Sequence, residues 1–90
     1  MKFEWDDAKA AINHRKHRVS FLEAATSFDD PLVIIFHDEE HSVAEDRWIA
    51  IGISDRGRLL VVSHAYPEGR TRIISARRAT ANEATEYEEG

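Results

Sequence analysis

The chain has 90 residues, a formal charge of −5 and no cysteine. This length allows one small domain with a single hydrophobic core, which we assign to residues 1–90. The lack of cysteine excludes a disulfide framework, a thiolate metal site and a cysteine nucleophile. The longest apolar run, residues 32–36, is too short to span a membrane, and residues 1–7 lack the apolar stretch of a signal peptide. We therefore expect a soluble, cytoplasmic protein without a membrane partner.

Charge is distributed unevenly along the chain. Six basic residues and one acidic residue give residues 56–78 a charge of +5, whereas residues 19–55 carry −8 and residues 79–90 carry −4. Affinity for phosphate depends on such a local cluster more than on the total charge. The negative total is therefore compatible with a nucleic-acid site on residues 56–78.

Two short helices are predicted near the N-terminus. Asp6 is a suitable N-cap for a helix over about residues 7–17. Ser20, followed three residues later by Glu23, has the spacing of a capping box and starts a second helix that ends before Pro31.

Strands are predicted from there to residue 76. Residues 32–37 are β-branched and aromatic and favour a strand, whereas the acidic residues 38–46 favour a loop. Two antiparallel hairpins should follow, with Gly57 in a left-handed conformation in the first turn. Their strands are predicted at residues 48–53, 58–66 and 70–76.

A capping box of Thr80 and Glu83 predicts a final helix that reaches about Tyr87. The expected order is β-α-α-β-β-β-β-α, if residues 2–4 form the first strand. This order corresponds to an α+β domain.

Side-chain alternation places His64 at the end of an apolar row on its strand. Symmetric pairing about the second turn sets His64 opposite Thr71, with Arg70 and Arg72 as its diagonal neighbours. Strict alternation along the last strand puts Arg77 on the opposite face from Arg72.

Six segments carry a resemblance to a known family. They are F-E-W-D near the start, N-x-x-K-H-x-V-S-F at 13–21, E-A-A-x-x-F-x-D-P at 23–31, E-D-R-W-I-A-I-G at 45–52, G-R-L-L-V-V at 57–62 and R-I-I-S-A-R-R-A-T at 72–80. With these six segments in this order and at this spacing, the chain resembles the BrnT family of type II toxin–antitoxin toxins. The resemblance implies a RelE-like fold, in which an antiparallel sheet packs with N-terminal helices and one C-terminal helix.

The resemblance also implies an endoribonuclease that cleaves RNA and arrests translation. Its partner would be a BrnA-like antitoxin with a ribbon-helix-helix domain, and DNA would be bound only indirectly, through that antitoxin. The implied chemistry uses no metal and no other cofactor: the RNA 2′-hydroxyl attacks the adjacent phosphorus and leaves a cyclic phosphate and a 5′-hydroxyl.

Four residues are the catalytic candidates for this chemistry. His64 can transfer a proton because the ordinary pKa of histidine lies near neutrality. Arg72, Arg77 and Arg78 offer permanently charged, forked donors for the phosphoryl oxygens, and Arg77 is the strongest of them because it lies in the S-A-R-R segment.

Arg58, Arg70 and Tyr87 are the candidates for RNA binding. Each candidate also has a structural interpretation. His64 can be a buried structural residue, Arg77 and Arg78 can pair with nearby acids, Arg58 can be solvated, and Tyr87 can pack the last helix.

Two further alternatives remain open. The H-D-E-E-H segment at 37–41 and the pair His14 and His17 offer imidazoles for a metal, although neither has a zincin pattern. The domain could also be a degenerate toxin-like module that binds an antitoxin without cutting RNA. The acidic last helix, where relatives are rich in Arg and Lys, favours that alternative.

Arg18 stands where the family commonly has glycine. The turn between the first two helices should therefore either avoid a positive φ or carry some strain.

Overall fold

The structure is a computed structural model that describes residues 2–90. Five strands, three α-helices and two 3₁₀ turns follow one another in the order β-α-α-β-β-β-β-α. They are β1 (Phe3–Glu4), α1 (Asp7–His17), α2 (Phe21–Thr26), a 3₁₀ turn (Ser27–Asp29), β2 (Ile34–His37), β3 (Trp48–Ile53), β4 (Leu59–Ala65), a second 3₁₀ turn (Pro67–Gly69), β5 (Thr71–Arg78) and α3 (Ala81–Glu89). The predicted α+β class and element order are confirmed.

The strands form one sheet in the order β1-β5-β4-β3-β2. The pairs β2–β3, β3–β4 and β4–β5 are antiparallel, as the predicted hairpins require. β1 is parallel to β5, with Phe3 beside Thr71 and Glu4 beside Arg72. The expectation of an antiparallel sheet is wrong at this edge, because β1 and β5 are joined through nearly the whole chain and not by a hairpin that would impose antiparallel pairing.

The hydrophobic core lies between one face of the sheet and the N-terminal helices. Its buried members come from α2, from the segments beside it and from three central strands: Val19, Phe21, Ala24, Phe28, Ala50, Leu60, Val62, Ile73 and Ala76. Trp5 packs edge-on against Phe21 at a ring-centroid distance of 6.0 Å. Helix α3 contacts β3 from the other face of the sheet, which we call the open face.

Helix capping agrees with the sequence prediction except at one side chain. Asp6 caps α1, and Thr80 and Glu83 form a complete capping box at α3. Ser20 caps α2 by accepting from the backbone N–H of Glu23, but the Glu23 carboxylate bonds to Arg58 and Ser54 and does not return to Ser20. Because a buried charge is stabilised better by a guanidinium than by a backbone amide, this second half of the predicted box does not form.

β5 contains one residue more than its partner β4. Ser63 pairs with Ser75 and His64 pairs with Ile73, so that Ile74 has no partner on β4. Such a bulge reverses the alternation of side chains beyond it. The predicted register, with His64 opposite Thr71, is therefore wrong, and Arg72 joins Ser75 and Arg77 on the open face.

Asn13 fastens α1 to the edge of β5 that β1 leaves unpaired. Its buried side-chain amide donates to the carbonyls of Val19 and Ala76, and its oxygen accepts from the Ala76 N–H at 3.0 Å. The amide thus takes the place of a neighbouring strand at Ala76 and satisfies buried backbone groups there.

We expect Asn13→Ala to lower the free energy of unfolding by about 3 kcal/mol, because it leaves buried backbone groups without partners. Urea denaturation followed by circular dichroism measures this loss. Asn82→Ala, on the exposed surface of α3, is the control and should change little. An equal effect of the two substitutions would contradict the role of Asn13.

Arg18 ends α1 in the left-handed conformation, with φ at 59° and ψ at 31°. Of the two expectations, strain is thus the one that the structure supports. Arg18→Gly should stabilise the protein by about 1 kcal/mol, because glycine adopts this conformation without a steric cost. Thermal melting measures the gain, and Arg15→Gly, inside the same helix, should instead destabilise by a similar amount.

Within residues 2–90, no helix combines the length and the hydrophobicity that crossing a membrane requires.

Candidate nucleic-acid interface

The open face carries a cavity of about 240 Å³ beside the free part of β5. Its floor is apolar and is formed by Ile49, Val61 and Ile74. Polar side chains surround this floor: Asp38, His41, Arg47, Ser63, Ser75 and Arg77. We call this site the open-face cavity. Two guanidiniums, one imidazole and two hydroxyls around an apolar floor suit an anion attached to a planar, partly apolar group.

The loop of residues 38–46 is ordered by Ser42. The Ser42 hydroxyl donates to the carbonyl of Asp38 at 2.6 Å and accepts from the N–H of Arg47 at 2.9 Å. The Asp38 N–H in turn donates to the Arg47 carbonyl, which continues the ladder between β2 and β3. These bonds close the loop on itself and hold His41 and Arg47 at the open-face cavity.

His41 and Asp38 form a hydrogen-bonded pair at the rim of the cavity. The Nδ1 of His41 lies 2.8 Å from a carboxylate oxygen of Asp38. An ionised carboxylate can only accept, so Nδ1 carries the proton and Nε2 is left free to accept another. The His41 side chain is 60% exposed, whereas that of Asp38 is 15% exposed. A shielded carboxylate that orients an accessible imidazole is the arrangement that proton-transfer sites use.

Arg77 faces the same cavity but is held by the last helix. Its two terminal nitrogens each donate to one oxygen of Glu83 at 2.7 Å. The Arg77 guanidinium, helped by the backbone of Thr80, lowers the pKa of Glu83 to about 2. The predicted alternative of an Arg77–Glu83 ion pair is therefore what the structure contains, and it coexists with the position of Arg77 at the cavity.

Arg47 has no such partner. Within residues 2–90, no carboxylate oxygen lies within 4.0 Å of its guanidinium. It is the charged donor at this cavity that is most available to an incoming anion. Arg47 was not among the site residues predicted from the sequence, because it is the one basic residue of the acidic segment 19–55.

Arg72, near the start of β5, and Arg70, just before it, are both paired with acids. Arg72 is half-buried and bonds to Glu45 of the 38–46 loop. Arg70 bonds to Glu4 of β1 at 2.6 Å. Neither lines the open-face cavity, although Arg72 braces the loop that carries His41.

His64 does not reach the open face. It is fully buried on the core side of β4, with its ring edge-on to Phe28 at 4.9 Å. Its Nδ1 donates to the Val62 carbonyl at 3.1 Å, and its Nε2 accepts from the Tyr66 hydroxyl at 2.8 Å. Burial lowers the pKa of His64, which keeps the ring neutral. The structural interpretation of His64 fits these contacts, and they leave no access for RNA.

Arg78 and Arg58 also lie away from the cavity. Arg78 is exposed at the end of β5 and, because of the bulge, shares the core-side face with its pairing partner Leu60. Arg58 donates to the buried carboxylate of Glu23 with Nε at 2.9 Å and with a second nitrogen, and it also bonds to the carbonyl of Arg18. This ion pair raises the pKa of Arg58 and lowers that of Glu23. Arg58 is therefore fastened inside the fold and is not a solvated or RNA-facing residue.

Tyr87 attaches α3 to the segment before β2. Its hydroxyl donates to a carboxylate oxygen of Asp30 at 2.5 Å, and this bond raises the pKa of Tyr87 to about 12. Tyr87 lines a separate groove with residues 31–34. The packing interpretation of Tyr87 therefore fits its position, and stacking of a base in the open-face cavity does not.

The histidines considered as metal ligands are engaged separately. His37 bonds to Asp46 at 3.1 Å, whereas His41 bonds to Asp38. Across residues 2–90, no three His, Cys, Asp or Glu side chains are grouped so that they could hold one metal ion.

Comparison with known proteins provides the family. Residues 5–83 match the family model described as "Ribonuclease toxin, BrnT, of type II toxin-antitoxin system". The chain belongs to the BrnT family. A structural comparison matches the crystal structure of the Brucella abortus ribonuclease toxin, BrnT, with a TM-score of 0.71 and 24% sequence identity, over 89% of this chain and 97% of that one. No curated protein sequence matches the chain. The resemblance inferred from the sequence motifs is confirmed, and the fold is that of BrnT.

In this BrnT-family toxin, the Glu23–Arg58 ion pair is a component of stability. We expect Arg58→Ala to lower the free energy of unfolding by about 3 kcal/mol, because Glu23 would remain as a buried charge without its partner. Chemical denaturation measures this value. Arg56→Ala is the matched control, since the Arg56 side chain is 72% exposed and 4.0 Å from the same carboxylate. A small effect of Arg58→Ala would contradict the structural assignment.

The pKa of Glu83 leads to a pH prediction. Because its folded value of about 2 lies below the ordinary value of 4.5, the ionised carboxylate stabilises the fold above about pH 4.5, and this contribution is lost as the pH falls towards 2. The difference in melting temperature between the wild type and Glu83→Gln should therefore shrink over that range. Glu88→Gln, on the exposed side of the same helix, should show no such change, and a pH-independent difference for Glu83→Gln would contradict the assignment.

Proposed function

We propose that this chain is an endoribonuclease toxin that cleaves RNA at the open-face cavity without a metal ion. The observation that carries the proposal is the exposed imidazole of His41, oriented by Asp38 and set in one cavity with the guanidiniums of Arg47 and Arg77. Membership of the BrnT family supports ribonuclease action in general. The geometry supports these particular residues.

The proposed reaction is an internal transesterification of RNA. The 2′-oxygen attacks the adjacent phosphorus, and the bond from phosphorus to the 5′-oxygen breaks. His41 Nε2 accepts the 2′ proton, and solvent can protonate the leaving 5′-oxygen because the cavity is open to water. The products are a 2′,3′-cyclic phosphate and a 5′-hydroxyl, and this chemistry needs proton transfer and fixed positive charge.

Arg47 and Arg77 supply the positive charge for the phosphoryl oxygens. Both present planar guanidiniums that can donate two hydrogen bonds to one phosphate. Arg72 supports the site indirectly, through Glu45 and the loop. His64 and Arg78 have no role in the proposed reaction, since both lie towards the core side of the sheet.

The proposed partner is a BrnA-like ribbon-helix-helix antitoxin that neutralises the toxin and binds DNA on behalf of the complex. The family description implies an antitoxin. An acidic segment of that antitoxin would cover residues 70–78 by charge complementarity. Cleavage of RNA in the cytoplasm would then arrest translation whenever the antitoxin is absent.

One observation favours the second candidate function, a module that binds the antitoxin without cutting RNA. Arg77 is already occupied by Glu83, and α3 carries four glutamates and no basic residue. If this ion pair never opened, Arg77 could not act on phosphate. Arg47 and His41 would still be available to bind RNA. The two candidate functions therefore differ in whether the bound RNA is cut.

Cleavage of purified single-stranded RNA in excess EDTA tests the proposal. The wild type should produce 5′-hydroxyl ends, and Arg77→Ala or His41→Gln should each lower the rate by about 10²-fold, the usual loss when one transition-state contact is removed. Gel electrophoresis with end-specific labelling measures the rate and the chemistry of the ends.

Arg56→Ala, which removes an equal charge from a residue that does not line the cavity, should cleave like the wild type. Equal rates for the wild type, Arg77→Ala and His41→Gln would exclude this site. Complete dependence on added metal would exclude the proposed chemistry. No cleavage by any variant, with antitoxin binding retained, would favour the non-catalytic module.

A further inference from the structure

A second cavity lies next to the open-face cavity, between α1 and the free edge of β5. Its volume is about 210 Å³. It is lined by Lys9, Ile12, Asn13, Lys16, His17, Ile74 and Ser75. We call it the helix-edge cavity. Ile74 and Ser75 line both cavities. The bulge in β5 therefore connects the two sites.

The side chains of this cavity are arranged by the helical repeat. Ile12 follows Lys9 by three residues, and Lys16 follows Ile12 by four. The three side chains therefore share one face of α1. The isoleucine thus lies between two ammonium groups. Within residues 2–90, neither lysine has a carboxylate within 4.0 Å.

Ile12 is an unusual residue for this position if the face serves only as solvated surface. The residue is 54% exposed although it is large and apolar, and Ile74 is half-buried in the same cavity. An apolar platform flanked by cations matches a nucleotide, whose base is flat and partly apolar and whose phosphates are negative.

We propose that the helix-edge cavity is a binding subsite for a nucleotide of single-stranded RNA that flanks the scissile phosphate. The base rests on Ile12 and Ile74, and Lys9 and Lys16 contact the phosphates on either side of it. The RNA passes over Ser75 into the open-face cavity. This inference rests on the proposed ribonuclease function, and it adds where the substrate strand runs and why that strand must be unpaired.

An unpaired strand is required because a base must leave its stack to reach the apolar platform. In a duplex, the bases are stacked and paired, and the major groove is too narrow to admit side chains. The subsite therefore selects single-stranded RNA, and it favours substrates that extend beyond the two nucleotides at the cleavage point.

The experiment compares two substrates, a dinucleoside phosphate and a long single-stranded oligoribonucleotide, by kcat/KM in EDTA. The wild type should prefer the long substrate. Ile12→Ala and Lys9→Ala combined with Lys16→Ala should each reduce this preference about tenfold, since one stacked base or a pair of phosphate contacts is lost. Ile12→Phe should raise the preference, because an aromatic ring stacks better than an aliphatic side chain.

Arg15→Ala is the matched control, since it removes a cation from α1 that does not line the cavity. It should keep the wild-type preference. Loss of preference in Arg15→Ala to the same extent would show general electrostatic attraction and overturn the subsite. Equal preference in the wild type and in the Ile12 and lysine variants would also overturn it, while leaving the proposed ribonuclease function intact. If the wild type cut neither substrate, both proposals would fail together.

Discussion

The extra residue in β5 determines which charged side chains meet. Up to Ile73 the strand alternates regularly, with Ile73 in the core beside Val62 and Ala76. Ile74 then adds one residue without a partner on β4. Because the period of a strand is two, this single insertion moves every later side chain to the other face. With regular alternation from Ile73, Ser75 and Arg77 would both point towards the core, and the open-face cavity would lose the Arg77 guanidinium.

Local sequence rules were sufficient for the elements and insufficient for the site. Caps, turns and β-branched runs predict the order and most boundaries, because they act within a few residues, as Asp6, Thr80 and Gly57 do here. The parallel pairing of β1 and the bulge in β5 depend on contacts between distant segments, which no local pattern records. The family motifs predicted the function class. The candidate residues were selected for their chemistry and for the S-A-R-R segment, and neither criterion records that His64 is buried in the core or that the bulge brings Arg72 to the same face as Arg77.

The arginines show why a basic segment is not the same as a basic surface. Residues 56–78 carry a net +5 in sequence, yet Arg58, Arg70 and Arg72 each bond to a glutamate from a distant segment. Those acids come from residues 4, 23 and 45, so the pairing could not be read from the segment alone. The unpaired cations that line the two cavities lie elsewhere within residues 2–90, on Arg47 and on the exposed face of α1.

Under the proposed function, the ion pair between Arg77 and Glu83 limits how RNA can bind at the open-face cavity. The Glu83 carboxylate accepts two hydrogen bonds from the Arg77 guanidinium, as a phosphate would. A phosphate of RNA must therefore displace Glu83 to form the same two bonds with Arg77. The displaced carboxylate regains water, but the exchange of one anion for another yields little net free energy. Affinity must then come from contacts that Glu83 does not occupy, at Arg47 and along α1. If both proposed sites bind RNA, a substrate that reaches both cavities gains enough contacts to displace the glutamate, whereas a free phosphate ion gains none of the contacts along α1.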